Sequence, residues 1–327
     1  MANDELALFS LDSGRDFAAL VAACLGIDVG HHEERDFEDG EHKIRPLQSV
    51  RNRDVYVVQS LYGDENHSLN DQLVRLLFFL GVLRESGAAR VTAVIPYLCY
   101  SRKERKTKTR DPVTTRYVAQ LFEAMGVERV VTVDVHNRAG FQNAFRCRSE
   151  HLSARGPFID WLLPHLHGKD VAVASPDVGG VKRAELFREA LERRLDKPTS
   201  NAFMEKRRSE GVVTGSQVVG EVENRTVVIV DDLIAGGGTM KRAAEAFLDR
   251  GAREVIALAS HGIFAAQAAE GLSSAALSRV AVTNSIPPNR LPDSLYRQKV
   301  DVIDISPLIG DAIRRLHEGG SLSELEP

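Results

Sequence analysis

A chain of 327 residues with 43% hydrophobic and 27% charged side chains has the composition of a folded protein of one or two domains, which excludes wholesale disorder. Its 42 basic and 46 acidic residues leave a net charge of −4, so a global pull toward nucleic acid or anionic membrane is excluded and any affinity for anions must be local. Three widely spaced cysteines, Cys24, Cys99 and Cys147, exclude a disulfide framework and a Cys-x-x-Cys zinc site. The N-terminus carries early acids and no apolar core of signal-peptide length, so the expected location is the cytoplasm.

The first strand candidate is Val55–Ser60 (VYVVQS). The most apolar stretch, Leu73–Leu83, follows it; it contains an arginine and falls far short of the roughly 20 residues of a membrane span. Val91–Tyr97 reads as the next strand. Pro112 then opens a helix with Val118, Leu121, Phe122 and Met125 turned inward and Gly126 at its stop. Val130–Val135 is a third strand, and the polar stretch Glu150–Phe158, with Gly156 and Pro157, is the best domain boundary. Val171–Ser175, Val227–Asp232 and Val255–Ser260 complete the strands. All are continuous apolar runs rather than alternating ones, as in a parallel sheet covered on both faces. Between the last two, Thr239 is placed to cap a helix whose stripe is Met240, Ala243, Ala244, Phe247 and Leu248, ended by Gly251. His165 and His167 mark an exposed helix end. The order strand, helix, Gly-Ala, strand occurs twice, at RDVYVVQS…GAARVTAVIPY and RTVVIVDD…GAREVIALASHG, which points to a duplicated α/β unit.

The segment Val227–Met240 (VVIVDDLIAGGGTM) concentrates the chemistry. Asp231 and Asp232 stand where a buried strand ends, the usual place for ligands in α/β sheets. Three glycines then lead into a helix, where bare backbone and unpaired N–H groups favour an anion such as phosphate. Carboxylates repel phosphate, but they accept hydrogen bonds from sugar hydroxyls or hold hydrated Mg2+. A sugar phosphate satisfies both halves. No Gly-Lys-Ser/Thr follows the glycines, so this is not a Walker A loop. Arg102–Arg110 (RKERKTKTR) has six cations against one acid and reads as a solvated loop or a polyphosphate clamp; with no interleaved aromatics, nucleic acid is the weaker partner. His136 and Asp177 read as a polar strand end and a turn aspartate. Phe37, Asp39 and Glu41 have period two, which places them on one face of a strand or extended hairpin.

The Asp-Asp-glycine segment resembles the phosphoribosyl-diphosphate signature shared by type I phosphoribosyltransferases and ribose-phosphate diphosphokinases. Phe37–Ser60, Ile95–Ala119, Val133–His136, Ser175–Ala184 (SPDVGGVKRA) and Glu205–Arg208 (EKRR) resemble the second family, in its order and over nearly the whole chain. That resemblance implies an α/β fold of two similar phosphoribosyltransferase-like domains, each a mostly parallel sheet flanked by helices. It places them at residues 1–152 and 153–306, with 307–327 packing back on the first and the active site at their junction. It implies transfer of the diphosphoryl group of Mg-ATP to ribose 5-phosphate by a homo-oligomer, dimer or hexamer, whose ATP site is shared between subunits. Lys206 and Arg208 would be catalytic, in a mobile loop. Phe37, Asp39 and Glu41, reaching from a neighbouring subunit, would join Arg102, Lys103 and His136 in binding ATP. Asp231, Asp232, Ala235, Gly236, Gly237, Gly238 and Thr239 would bind ribose 5-phosphate, and His136 and Asp177 would hold Mg2+. Two departures stand out: Lys103 replaces a glutamine usual in the family, and Ala235-Gly236 replaces a frequent Asp-Thr. A catalytically silent homologue and a phosphoribosyltransferase are the rival readings.

Overall fold

The computed structural model describes residues 5–209 and 212–326, with the side chains of 206–209 and 212–216 outside the described residues. The chain divides into two compact units, one of Met1–Ser153 with Ser306–Glu326 and one of Ala154–Ile305.

The first unit runs β1 (Leu6–Phe9), α1 (Arg15–Leu25), a hairpin of β2 (His32–Asp36) and β3 (His42–Pro46), β4 (Asp54–Val58), α2 (Leu69–Glu85), β5 (Arg90–Ile95), α3 (Thr114–Ala124), β6 (Arg129–Val133), α4 (Arg138–Ala144) and β7 (Arg148–Leu152). Its sheet, in the order β1-β4-β5-β6-β7, is parallel throughout. Every residue of β4 is buried, which is why its sequence is unbroken apolar apart from Asp54. A capping box between Ser68 and Asp71 starts α2, whose Leu76, Phe79, Leu80 and Leu83 fill the core with Phe9 and Phe122. In α3, Val118 and Phe122 are buried as expected, but Leu121 is 45% exposed; Thr115 and Ala119 take the inward positions instead.

The second unit runs α5 (Arg155–Leu166), β8 (Val171–Ser175), α6 (Val181–Leu195), β9 (Ser200–Ser209), β10 (Val212–Gly220), β11 (Thr226–Ile234), α7 (Gly238–Asp249), β12 (Glu254–Gly262), α8 (Ala268–Leu272), β13 (Arg279–Thr283), α9 (Asp293–Gln298) and β14 (Val300–Ile303). The strand order is β10-β9-β8-β11-β12-β13-β14, parallel except for β10 against β9. Val227, Ile229, Ala257, Phe247 and Val280 centre its core. Among the described residues no helix is long and apolar enough to cross a membrane.

The repeated unit is real at the level of single hydrogen bonds. Before β4, Asn52 is left-handed (φ 58°) and its N–H donates to Gly87 O at 2.8 Å; before β11, Asn224 (φ 59°) does the same to Gly251 O at 2.8 Å. Gly87 and Gly251 themselves have φ 89° and 88°, which explains why each repeat ends its helix with glycine.

The C-terminal helix α10 (Ser306–Glu318) packs on α1 of the first unit, where Gly310 lies so close to Cys24 that a Cβ would come within 2.8 Å of the Cys24 Cβ. Asp54, 1% exposed, fixes that helix: it accepts from His317 Nδ1 at 2.8 Å, from Arg90 at 3.1 and 2.9 Å, and from Tyr56 Oη at 3.2 Å. Burial pushes the Asp54 carboxyl up, but Arg90 and His317 outweigh it and hold the group below the ordinary carboxylate range. Its contribution to stability is therefore present above the unfolded value of about 3.9 and is lost as pH falls through the lower folded value. Asp54→Asn is expected to cost roughly 1.5–3 kcal/mol at pH 7. Thermal melts of the two proteins from pH 7 down to pH 3 check it, with the gap closing at the acid end.

Candidate functional site

Strand order in the second unit reverses between β8 and β11: from β8 the chain goes one way to β9 and β10, then returns to the other side for β11 through β14. Such a switch point leaves a crevice at the carboxyl ends of the two strands, because their following loops diverge. The ladder between β8 and β11 ends at Ala174 and Ile229, whereas β11 continues against β12 as far as Ile234 and Gly262. Asp231 and Asp232 therefore stand past the end of β8, and they are the last charged residues of β11.

The two acids are not equivalent. The Asp232 side chain is 4% exposed and that of Asp231 22%, so Asp231 is the one that faces outward. Arg183, in the first turn of α6, bonds both: Nη1 to Asp231 Oδ1 at 2.8 Å and Nη2 to Asp232 Oδ1 at 3.2 Å. The Asp232 N–H also donates to Asp231 Oδ1 at 2.9 Å. Burial and the neighbouring Asp232 charge raise the Asp231 carboxyl to about 7, with Arg183 pulling it back. Beside them, Asp177 follows β8 in a turn where Oδ1 accepts from Gly180 N–H at 3.1 Å and the Asp177 carbonyl accepts from Ser175 Oγ at 2.6 Å. Asp177 thus caps the short turn Val178–Gly180 that leads into α6.

After β11 the chain makes the glycine turn. Ala235 O accepts from Ala265 N–H at 2.9 Å, and Gly236 has nothing within 4 Å of where a Cβ would stand. Gly237 is left-handed at φ 70°, and a Cβ there would meet Ala268 O at 3.1 Å. Gly237, rather than Thr239, is the N-cap of α7, and it offers no side chain to the first-turn amides. Thr239 is the second helical residue, exposed, with its hydroxyl accepting from Arg242 Nη2 at 3.4 Å. The result is a helix start with uncapped amides, a guanidinium leaning over it and two carboxylates nearby on β11, which is complementary to a phosphorylated sugar.

In the first unit, Lys103 does not extend into solvent. Its ammonium bonds Asp111 and donates to Thr107 Oγ1 at 2.8 Å. Asp111 also accepts from Thr107 and Lys108, so its carboxyl is held far below the usual range, first by Lys103. Arg102 and Arg105 to Arg110 remain exposed around this knot. Asn137 Nδ2 reaches Glu104 Oε1 at 3.3 Å, which brings the basic loop beside the exposed His136. Phe37, Asp39 and Glu41 sit in the turn between β2 and β3, not along a strand face: Phe37 N–H donates to Glu41 O, and Gly40 at φ 89° closes the turn. Phe37 is 41% exposed under the Arg35 guanidinium, 5.2 Å from the ring centroid. The hairpin is anchored by buried Arg75, which bonds Glu34 and Asp36.

Lys206 and Arg208 have backbone positions in β9, opposite Ser216 and Val213 of β10 with a bulge between, where a loop was expected. Their side chains lie outside the described residues.

Residues 6–126 match the N-terminal domain of ribose phosphate pyrophosphokinase, and 197–326 match the phosphoribosyl synthetase-associated domain. A ribose-phosphate pyrophosphokinase of Caldanaerobacter subterraneus subsp. tengcongensis is 37% identical over 98% of both chains. One from Gloeobacter violaceus is 37% identical over 99% of this chain and 94% of its own. The chain belongs to the ribose-phosphate pyrophosphokinase family. Its fold is that of the phosphoribosylpyrophosphate synthetase of Mycobacterium smegmatis, at a TM-score of 0.87 and 32% identity over 97% of this chain and 100% of that one.

Against that family frame, two arginines are functional candidates that the motif reading did not single out: Arg183 and Arg242. Arg183 stands in the first turn of α6, where the dipole disfavours a cation, and Arg242 is the fifth residue of α7, one turn beyond its start. For Arg183 that misplaced charge is the signal the sequence offers. Gly237 carries the sharpest stereochemical demand of the site. Gly237→Ala is expected to destabilise by about 1–2 kcal/mol, the cost of a left-handed non-glycine residue, and to weaken phosphate-ligand binding at least tenfold. Thermal melts and titration with ribose 5-phosphate check both.

Proposed function

We propose that this pyrophosphokinase moves the diphosphoryl group of ATP to the anomeric hydroxyl of ribose 5-phosphate, forming 5-phosphoribosyl 1-diphosphate and AMP. The observation that carries the reading is the pairing, at the switch point of the second unit, of a hydroxyl-accepting carboxylate with an uncapped glycine-lined helix start. In this reading Asp231 accepts hydrogen bonds from ribose hydroxyls, with Asp232 buried behind it. The amides of Gly236, Gly237, Gly238 and Thr239 bind the 5-phosphate. The exposed cation Arg102 and His136 bind the ATP polyphosphate, and Phe37, Asp39 and Glu41 present a turn to adenine. Lys103, tied to Asp111, orders the basic loop and reaches phosphate only by leaving that carboxylate.

The oxygen donors suit Mg2+, which takes carboxylate oxygens and water. Asp177 offers a carboxylate with one oxygen on a backbone amide, and Asp231 lies on the neighbouring strand. His136, a nitrogen donor, is the weaker partner for so hard a cation and is better matched to a phosphate oxygen. When bound, Mg2+ supplies charge neutralisation on the polyphosphate. Lys206 and Arg208 complete the site as cations for the transition-state oxygens, which phosphoryl-type transfer needs more than a side-chain nucleophile. The attacking hydroxyl gives up its proton to solvent as its oxygen bonds the β-phosphorus, and the bond from that phosphorus to the oxygen bridging it to the α-phosphate breaks, so that AMP leaves with that oxygen. The exposed Phe37 turn also fits a homo-oligomer in which each subunit completes its neighbour's adenine site, working in the cytoplasm.

The test is the purified chain with ribose 5-phosphate, ATP and Mg2+, followed by phosphorus NMR. AMP and phosphoribosyl diphosphate are expected in equal amounts. Lys206→Ala is expected to lower turnover by at least about 100-fold, the loss typical of a preorganised charge donor, with an unchanged melting temperature. Absence of product from the unmodified chain, or full turnover by the variant, contradicts the assignment.

A further inference from the structure

Arg183 stands at a helix start against two carboxylates. It sits in the third position of α6, next to the positive end of the helix dipole, and its side chain is only 25% exposed. Both costs are met by one arrangement: the fork of the guanidinium takes Oδ1 of Asp231 with one nitrogen and Oδ1 of Asp232 with the other. The surroundings are shaped around that fork. A Cβ on Gly180 would stand 2.5 Å from Ser175 Oγ and 3.4 Å from Arg183 Nη1, so glycine is needed for the turn after β8 to lie against both. Ser175 is fully buried and is held by the Asp177 carbonyl, so the base of the turn is itself fixed.

Asp231 is thereby restrained twice through the same oxygen, by Arg183 and by the Asp232 N–H. Both of these bonds are made by Oδ1 and neither by the other oxygen. A carboxylate pinned through one oxygen presents the second in one direction, and that is what discrimination between vicinal hydroxyls requires. A site built to bond a hydroxyl rejects a sugar without it by a large factor only when the acceptor cannot swing to another partner.

Resting on the function proposed above, we infer that Arg183 is a positioning and specificity-determining residue: it locks Asp231 and Asp232 so that the site selects a 5-phosphorylated pentose with its 2-hydroxyl in place. Arg183 does not touch the reacting atoms in this account. Its effect runs through Asp231.

The experiment compares wild type, Arg183→Gln and Arg183→Lys, with ribose 5-phosphate and 2-deoxyribose 5-phosphate as alternative acceptors. Kinetics give kcat and KM, calorimetric titration gives affinity without turnover, and melting curves report folding. For Arg183→Gln, KM for ribose 5-phosphate should rise about 30-fold or more while KM for ATP stays within about threefold. The ratio of kcat/KM between the two sugars should fall about tenfold or more, the scale set by losing one oriented hydroxyl contact. Arg183→Lys, which keeps the charge but not the fork, should recover part of the affinity and little of the discrimination. If Arg183→Gln melts early, the sugar ratio of Arg183→Lys decides. A sugar ratio and KM within twofold of wild type in the folded variants overturns the inference. So does a fall in kcat alone, with both KM values unchanged. Wild type that neither turns over nor binds ribose 5-phosphate defeats the functional reading itself and the inference with it.

Discussion

Two carboxylates in consecutive positions near the end of a buried strand disfavour each other's charge, and a cation built in beside them offsets part of that cost. Arg183 is that cation, and the second unit is arranged to deliver it. Strand order reverses between β8 and β11, so the helix that follows β8 starts beside the end of β11. The turn carrying Asp177 and Gly180 sets the angle at which α6 leaves, and its first turn brings Arg183 to both acids. The glycine turn after β11 then opens a second helix start alongside. A charge pair, a hydroxyl acceptor and an anion site thus follow from one topological feature.

The first unit shows what the same repeat does without that feature. It reproduces the left-handed Asn and Gly turns of the second unit to within a degree or so of φ, and it builds the same parallel ladder. Its described strands run in sequence order across the sheet with no reversal, and Gln59 and Ser60 follow β4 where β11 carries two aspartates near its end. Its chemistry lies instead in loops: the basic segment knotted by Lys103 and Asp111, the turn at His136, and the hairpin tip at Phe37. One packing solution supports two kinds of surface because function sits on the connections and stability on the strands.

Much of this was legible in the amino-acid sequence. Strands buried on both faces are written as unbroken apolar runs, so β4, β5, β6, β8, β11 and β12 could be located within a few residues. The glycine turn and its acids could be read because phosphate and hydroxyl recognition each leave a distinct residue type. The edge strands β1, β7 and β14 could not, being short or mixed in polarity; they form because a neighbouring strand templates them. Thr239 was misread as a cap because the left-handed backbone of Gly237 already supplies the helix start, which composition does not encode. Arg183 was hidden for another reason. Its partners are 48 and 49 residues away, and only the reversal of strand order brings them together.

The central claim is that the sugar phosphate binds at the end of β11, with its hydroxyls on Asp231 and its phosphate on the start of α7. A crystal structure of the chain with ribose 5-phosphate tests it most directly. The account predicts the phosphate against the amides of Gly236–Thr239 and a ribose hydroxyl on the Asp231 carboxylate, with Arg183 still on its inner oxygen. Density for the sugar phosphate on the basic loop Arg102–Arg110 instead, with the end of β11 unliganded, would contradict it.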